Sequence, residues 1–298
     1  VTDMSYMFNG CSSFNQQITF TQDSNHWNVS EVKNMNSMFR GCIAFDQPLE
    51  SWGANVSNVT NMSSMFNGCI TFNGTVSNWD VKKVTNASYM FNGCSKFNQS
   101  LNNWNVSEVK NMYSMFRGCS KFNQSLNNWN VKKVTNASYM FNGCSDFNGT
   151  VSNWQFNSCG FFSSMFNGCS VFNRYLFNIP YNGTGKQFDY MFAGCFALNY
   201  SYLSNISAKW AHINDANMTG MLHNTRSSAA ANSSYQPVVY MLNGGAVTDN
   251  QNFNYFLGIN GGNIKKKNTS GNMKTVTDFH GTLTRRHTFF TNNKPTLY

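Results

Sequence analysis

Cysteine is the residue whose type and spacing could do chemistry in this 298-residue chain. Nine cysteines occur, and eight of them each end a Met-Phe-x-Gly-Cys tag. These eight are Cys11, Cys42, Cys69, Cys94, Cys119, Cys144, Cys169 and Cys195, so neighbours differ by 31, 27, 25, 25, 25, 25 and 26 positions. Zinc sites need cysteines or histidines at much closer spacing. One cysteine at a fixed place in each unit is instead typical of a small buried residue.

Two states of these thiols are compatible with the spacing. Stacked repeats lie about 5 Å apart, a distance that a disulfide can span, so the spacing also allows a ladder of paired cysteines. We expect buried free thiols. The ninth cysteine, Cys159, falls in a slot that holds Val109 and Val134 elsewhere, and we expect it to point inward as well.

Acid–base catalysis has few candidate residues here. The chain has 12 acidic residues and five histidines, and it contains no nucleophile elbow, zincin helix or phosphate-binding loop. We therefore expect a non-enzymatic protein with no catalytic residues, no metal site and no cofactor. A carboxylate pair in a sugar-cleaving groove is the enzymatic alternative that the sequence leaves open.

The glycosylation acceptor Asn-x-Ser/Thr recurs throughout the chain. Copying a unit rich in Asn and Ser creates this motif without any role for glycans, and stacked asparagines can also hydrogen-bond to one another. Asn34 and Asn111 lack the hydroxyl residue although Asn61 and Asn86, in the same slot, have it, which favours a structural role there. A second slot keeps the motif in four successive units. We predict that the glycans are on this set: Asn73, Asn98, Asn123 and Asn148.

A repeat of about 25 residues organises the chain. The unit Trp104–Asn128, WNVSEVKNMYSMFRGCSKFNQSLNN, returns one period later, from Trp129, as WNVKKVTNASYMFNGCSDFNGTVSN. A fixed period in this range indicates a solenoid, in which each unit buries its apolar side against a copy of itself. Equivalent residues then lie above one another.

The apolar spacing predicts the elements of one unit. Met112, Met115 and Phe116 are spaced i, i+3, i+4, which predicts one helical turn ending near Gly118. Alternation in FNQSL predicts a short strand at 122–126, and a second strand is predicted at 104–106. Tryptophan and phenylalanine would stack on sugars if exposed, but their inward spacing favours the core. The predicted core ladder is Met90, Phe91, Cys94, Met115, Phe116, Cys119, Phe122, Met140, Phe141 and Cys144.

The pattern W-x-V-S-x-V-x-N-M-S-x-M-F-x-G-C-x-x-F-N-Q-x-L resembles the BspA-like surface proteins, which are related to leucine-rich repeats and form the DUF285 repeat family. The resemblance covers roughly residues 1–202. It implies a secreted or cell-surface protein, of bacteria, protists or large viruses, that serves adhesion or surface structure. It supplies no catalytic residues.

Two regions are expected. Residues 1–203 are predicted to form a right-handed, leucine-rich-repeat-like solenoid of about eight repeats, of which the first is truncated because the sequence starts inside a unit. Residues 204–298 are predicted to hold drifted repeats and a non-repeat cap or assembly segment. No run approaches 18 consecutive apolar residues, so we expect no membrane span.

The charge pattern bears on partners. Charged residues make up 11% of the chain and the net charge is +9. From Lys265 onward, seven lysines and arginines face Asp278 alone, a surplus of six positive charges. Basic tails often bind nucleic acid, but the repeats carry no dense basic stripe, and we expect no nucleic-acid partner.

The functional expectation is an extracellular or cell-surface structural protein. The first hypothesis is a protomer that assembles head to tail into a fibre or surface appendage, because an uncovered repeat exposes strand edges and apolar side chains. The alternative is a monomeric adhesin that binds glycan or protein on one face of the repeats. A third is an attachment or decoration protein on the surface of a large virus.

Overall fold

The computed structural model describes residues 1–18, 27–177, 179, 186–198, 264–267 and 273–276. Within these ranges the regular elements are a 3-10 helix, Glu50–Val56, and strands β1 (Ile264–Lys267) and β2 (Met273–Val276). The two strands pair antiparallel, with Ile264 opposite Val276 and Lys267 opposite Met273. Apart from these strand residues, the predicted region 204–298 lies outside the described residues.

Single parallel bridges join each repeat to the next. Seven of them run in succession: Asp3–Asn34, Asn34–Asn61, Asn61–Asn86, Asn86–Asn111, Asn111–Asn136, Asn136–Phe161 and Phe161–Gln187. Equivalent residues therefore lie side by side, and the repeats stack in register. We propose that this stack is the predicted solenoid. Its right-handed sense and its leucine-rich-repeat class stay predictions.

Most backbone hydrogen bonds between repeats come from a segment that we call the ladder segment, residues 111–118 and their equivalents. The amides of Met112, Ser114, Phe116 and Gly118 donate to carbonyls of the next repeat at 2.7–3.0 Å. The intervening amides close turns within the repeat, as when the Met115 amide donates to the Met112 carbonyl. Every amide in the segment is thus paired, three of them within the repeat and five with a neighbouring repeat.

This arrangement differs from the predicted helical turn at 112–116. Ser114 has φ +54° and Gly118 has φ +74°, and left-handed residues at these intervals stop a right-handed helix. A series of tight turns puts Met112, Met115 and Phe116 on one side, as a helical turn would, so spacing alone does not separate the two structures.

The predicted strands at 104–106 and 122–126 are also absent from the described structure. In the second stretch the backbone makes one bond to the next repeat, from the Leu126 amide to the Thr150 carbonyl at 3.1 Å. The Gln124 side chain supplies another, donating to the Asn98 carbonyl of the preceding repeat at 3.0 Å. Side-chain amides here do part of what a strand ladder would do.

Two columns of phenylalanine rings fill the interior. In the column of Phe116, neighbouring ring centroids lie 5.4–5.6 Å apart and nearly parallel. In the column of Phe122 the spacing is 5.7–6.0 Å. The structure buries every residue of the predicted core ladder, namely Met90, Phe91, Cys94, Met115, Phe116, Cys119, Phe122, Met140, Phe141 and Cys144.

Tryptophan and cysteine add hydrogen bonds between repeats. The indole Nε1 of Trp104 donates to the Val76 carbonyl, and four further tryptophans make the equivalent bond at 2.7–3.0 Å. The thiol of Cys119 donates to the Phe91 carbonyl at 2.9 Å, and seven cysteines in all do this at 2.9–3.1 Å. Both side chains give a second hydrogen bond to a carbonyl that already accepts a turn amide in its own repeat, as the Phe91 carbonyl accepts the Cys94 amide.

All nine cysteines are free thiols in this structure, so the alternative of a paired ladder is not adopted. Eight are buried, Cys159 among them, and only Cys11 is exposed. Burial raises the pKa of the Cys42 thiol to about 11 and that of Cys159 to about 12. It also raises the pKa of each of the other buried thiols. Thiols that are buried and protonated are poor nucleophiles.

Phe116→Ala is expected to lower the free energy of unfolding by roughly 3–5 kcal/mol, because it removes a fully buried ring with a neighbour on each side. Urea unfolding followed by tryptophan fluorescence measures the change. The matched surface variant Lys132→Ala should shift it by less than about 0.5 kcal/mol. Equal effects of the two variants would contradict the stacked core.

Iodoacetamide should modify one cysteine, Cys11, in the native chain and all nine after denaturation. The reason is that only thiolates react, and burial keeps the other eight protonated and out of reach. Intact-mass measurement counts the adducts. Native modification at several sites, or fewer than nine adducts under non-reducing denaturation, would overturn the assignment of free buried thiols.

Candidate binding face

The asparagine that begins most ladder segments fixes the backbone that follows it. The Oδ1 atom of Asn111 accepts the amide of Tyr113 at 3.0 Å, and Asn136 does the same for the Ser138 amide. Such Asx turns need only the carbonyl oxygen of the side chain. In two repeats the serine hydroxyl of the acceptor motif also bonds its own asparagine, as Ser88 does to Asn86 at 2.8 Å. The asparagine in this slot therefore has a structural task.

One position in each ladder segment is left-handed although it is not glycine. Its eight occupants have φ between +54° and +60° and are Tyr6, Ser37, Ser64, Tyr89, Ser114, Tyr139, Ser164 and Tyr190. Four serines and four tyrosines occupy it with the same backbone. Tyrosine is therefore not required by the fold at this position, and its side chain is available for another role.

Three tyrosines meet on this face. We call Tyr89, Tyr113 and Tyr139, from three successive repeats, the tyrosine cluster. The ring centroids of Tyr89 and Tyr113 lie 5.1 Å apart, and those of Tyr113 and Tyr139 lie 5.6 Å apart, with interplanar angles of 61° and 59°. All three side chains are half-buried. Their tilted packing leaves part of each ring facing solvent.

Arg117 lies beside the tyrosine cluster. Its guanidinium carbon is 5.7 Å from the centroid of the Tyr139 ring, and its side chain is exposed. In the part of the chain that the structure describes, the ion pairs are Lys82–Asp80, Lys121–Asp146 and Lys133–Glu108. None of these involves Arg117, so no carboxylate in the described part neutralises it.

Within the tyrosine cluster, the pKa of Tyr89 lies above its usual value. Burial raises the pKa of Tyr89, and its side-chain hydrogen bond with Tyr113 adds to the increase, while the Arg117 charge opposes it. Ser114 lies between Tyr89 and Tyr139 in the same column. It is fully buried, and its Oγ has no hydrogen-bond partner among the described residues. A buried hydroxyl without a partner costs stability, so folding alone does not explain this arrangement.

The predicted glycan sites form a ladder of their own on another face, which we call the asparagine ladder. The Oδ1 of Asn73 accepts the backbone amide of Asn98, and the same bond continues to Asn123 and Asn148 at 2.8–2.9 Å. Asn148 in turn accepts the amide of Asn173 at 3.0 Å. These bonds use Oδ1 and not the nitrogen to which a glycan is attached. The first three side chains are exposed, and Asn148 is half-buried.

The sequence pattern did not identify the tyrosine cluster. The signal was a difference between otherwise similar copies, NASYMFNG in two repeats and NMYSMFRG in the repeat between them. Periodicity identifies the inward residues, which the copies share. It carries no information about the shift of tyrosine by one position, and that shift brings the three rings together.

Other kinds of site are not formed by the described residues. In those ranges no group of three or more His, Cys, Asp and Glu side chains is placed to hold a metal ion. A search of the same ranges finds no helix with the length and apolar character needed to cross a bilayer.

Comparison with known proteins gives one family. The family described as "Mycoplasma protein of unknown function, DUF285" matches residues 1–94, 72–179 and 125–235, three overlapping segments that together cover most of the chain. No curated protein and no solved structure matches this chain. The family match therefore agrees with the resemblance that the repeat pattern indicated.

Glycans are expected on Asn73, Asn98, Asn123 and Asn148 when the chain is secreted by a host with N-glycosylation, because Oδ1 holds the ladder and the amide nitrogen is left for the sugar. Intact mass before and after glycosidase treatment measures occupancy. Asn98→Asp is the matched variant, since it keeps the acceptor oxygen and loses one glycan. An unchanged mass, or sugar confined to other motifs, would contradict the prediction.

Proposed function

Because the chain belongs to the DUF285 family, we propose that it is an extracellular surface repeat protein whose stacked repeats present a binding face to glycans or proteins outside the cell. The proposed role is adhesive and non-enzymatic. The observation that carries it is the tyrosine cluster with Arg117, which is partly exposed on the ladder segments of three successive repeats.

The first support is the contrast with other side chains. Inward tryptophans and cysteines are buried and donate to carbonyls of the preceding repeat, so they are not available to a ligand. The outward asparagines that recur in most repeats close turns or pair with the next repeat. The three half-exposed tyrosines contact one another across repeats, but serine fills the same positions elsewhere, so stacking does not require their rings. Arg117 has no carboxylate partner among the described residues. Tyrosine and arginine are also the residues most enriched at energetically important contacts.

The second support is rigidity. Each repeat donates four backbone hydrogen bonds to the next and shares two columns of stacked rings with it. A face built on this scaffold is held in place before a ligand arrives, which lowers the entropy cost of binding. A long, rigid stack also suits display of that face away from a surface.

Head-to-tail assembly into a fibre or appendage is the second candidate. The contact between repeats consists of a backbone ladder and stacked rings, and equivalent surfaces recur at every step. An uncovered repeat of one copy could therefore accept a repeat of another, and a repeated heterologous contact of this kind extends into a filament. Sedimentation velocity over a range of concentrations separates this candidate from a monomeric adhesin.

Replacing the three tyrosines together, by Tyr89→Ser, Tyr113→Ser and Tyr139→Ser, should weaken binding to surface ligands at least tenfold, since loss of a few aromatic anchors costs roughly 2 kcal/mol or more. Serine already occupies equivalent positions, so the fold should persist. The test is binding of purified protein to arrays of glycans and matrix proteins, with circular dichroism as a check on folding.

Tyr175→Ser is the matched control, because Tyr175 is an exposed tyrosine in a different column. It should leave array binding unchanged. Undiminished binding by the triple variant, or equal losses in the triple variant and the control, would overturn the proposed binding face. Concentration-dependent filaments from the intact chain would move assembly ahead of adhesion.

A further inference from the structure

We propose that the tyrosine cluster and Arg117 form a subsite for an acidic sugar, that is, a carboxylate-bearing residue of a glycan. The inference rests on the proposed function, since it names the ligand class of the same face. In this arrangement Arg117 binds the carboxylate, and the rings of Tyr113 and Tyr139 pack against the sugar ring.

Arg117 supplies the charge complementarity. Its guanidinium is exposed and takes part in none of the ion pairs of the described residues. It lies 5.7 Å from the centre of the Tyr139 ring, and that contact limits its rotation. A planar guanidinium held in this way matches the two oxygens of a carboxylate with two parallel hydrogen bonds. The net charge of +9 also favours an anionic ligand over a cationic one.

The neighbours of Arg117 favour a sugar over a phosphopeptide. In the adjacent repeats the equivalent residues are Asn92 and Asn142, which offer neutral amides. The Asn92 amide nitrogen donates to Asn67 in the same column, so the Asn92 amide is already oriented. Doubly charged phosphate is usually bound by several arginines together. One arginine flanked by amides and tyrosine hydroxyls suits a single carboxylate surrounded by sugar hydroxyls.

The chain contains an internal comparison. Arg40 occupies the same place in its repeat as Arg117, but it has Asn36 and Ser64 where Arg117 has Tyr113 and Tyr139. The same cation is thus present without those two rings. If charge alone determined binding, the two sites would be equivalent. The proposed subsite needs the rings as well, so it exists only at Arg117.

The test measures affinity for matched acidic and neutral probes by calorimetry or glycan array: sialyllactose with lactose, and galacturonic acid trimer with galactose trimer. We expect the intact chain to bind at least one acidic probe roughly tenfold or more tightly than its neutral counterpart, the usual worth of a charge-assisted hydrogen bond. Arg117→Asn, which installs the residue of the adjacent repeats, should abolish that preference. Arg40→Asn should leave it intact.

The outcomes separate the two proposals. Equal affinity for the acidic and neutral members of both pairs, no binding of either pair, or a preference that persists in Arg117→Asn overturns the acidic-sugar subsite. Loss of preference in Arg40→Asn also overturns it, as does tight binding of a phosphotyrosine peptide with no binding of the acidic sugars. If the triple tyrosine variant still loses its array binding in those cases, the proposed function stands and only the ligand class is wrong.

Discussion

Each repeat in this protein has backbone groups that only another repeat can pair. The amides of Met112, Ser114, Phe116 and Gly118 point along the stack, and their acceptors are the carbonyls of the following copy. An unpaired buried amide costs free energy comparable to a lost hydrogen bond, so an isolated repeat is unfavourable. Side chains must then lie over their own equivalents, because the ladder fixes the register. The stacked phenylalanines, the tryptophan donors and the asparagine ladder all follow from that single constraint.

The interior tryptophans and cysteines both fill the core and donate a hydrogen bond to the preceding repeat. A phenylalanine at the place of Trp104 would keep the ring but lose the hydrogen bond to the preceding repeat, and the Val76 carbonyl would retain only the Trp79 amide of its own turn. Cysteine is likewise small enough for a tight column, and its weak S–H donor reaches the Phe91 carbonyl. This explains why a residue type associated with disulfides and metals occurs here without either among the described residues. Its regular spacing reflects packing between repeats and not reactivity.

The sequence predicted the inward residues well because periodicity reports which side chains face the neighbour. It predicted the local backbone poorly. Met112, Met115 and Phe116 have helical spacing, yet Ser114 is left-handed, and nothing in serine itself signals that conformation. Gly118 did signal a positive φ. Secondary structure in one repeat depends on bonds to the next repeat, and a pattern within a single unit does not contain that information.

The binding face was harder still to predict. Tyr89, Tyr113 and Tyr139 become neighbours only when three repeats are stacked, and Tyr113 is in a different column from the other two. The asparagines were ambiguous for a different reason. The same Asn-x-Ser/Thr letters serve a turn at Asn86 and a ladder at Asn98, and both tasks use Oδ1. Composition does not separate these tasks, whereas the donor to Oδ1 does: the Ser88 amide of the same repeat for Asn86, and the Asn123 amide of the next repeat for Asn98.

The direction of the ladder also has a mechanical consequence. Hydrogen bonds between repeats lie along the stack, so a force that separates its two ends loads these bonds in tension, one interface after another. Under such a load the end repeats should detach singly, and each should release roughly 80–90 Å of extended chain, since a unit has about 25 residues at 3.3–3.6 Å each. A protein that joins a surface to a distant ligand would then lengthen in steps under shear, and its remaining repeats would keep their contacts.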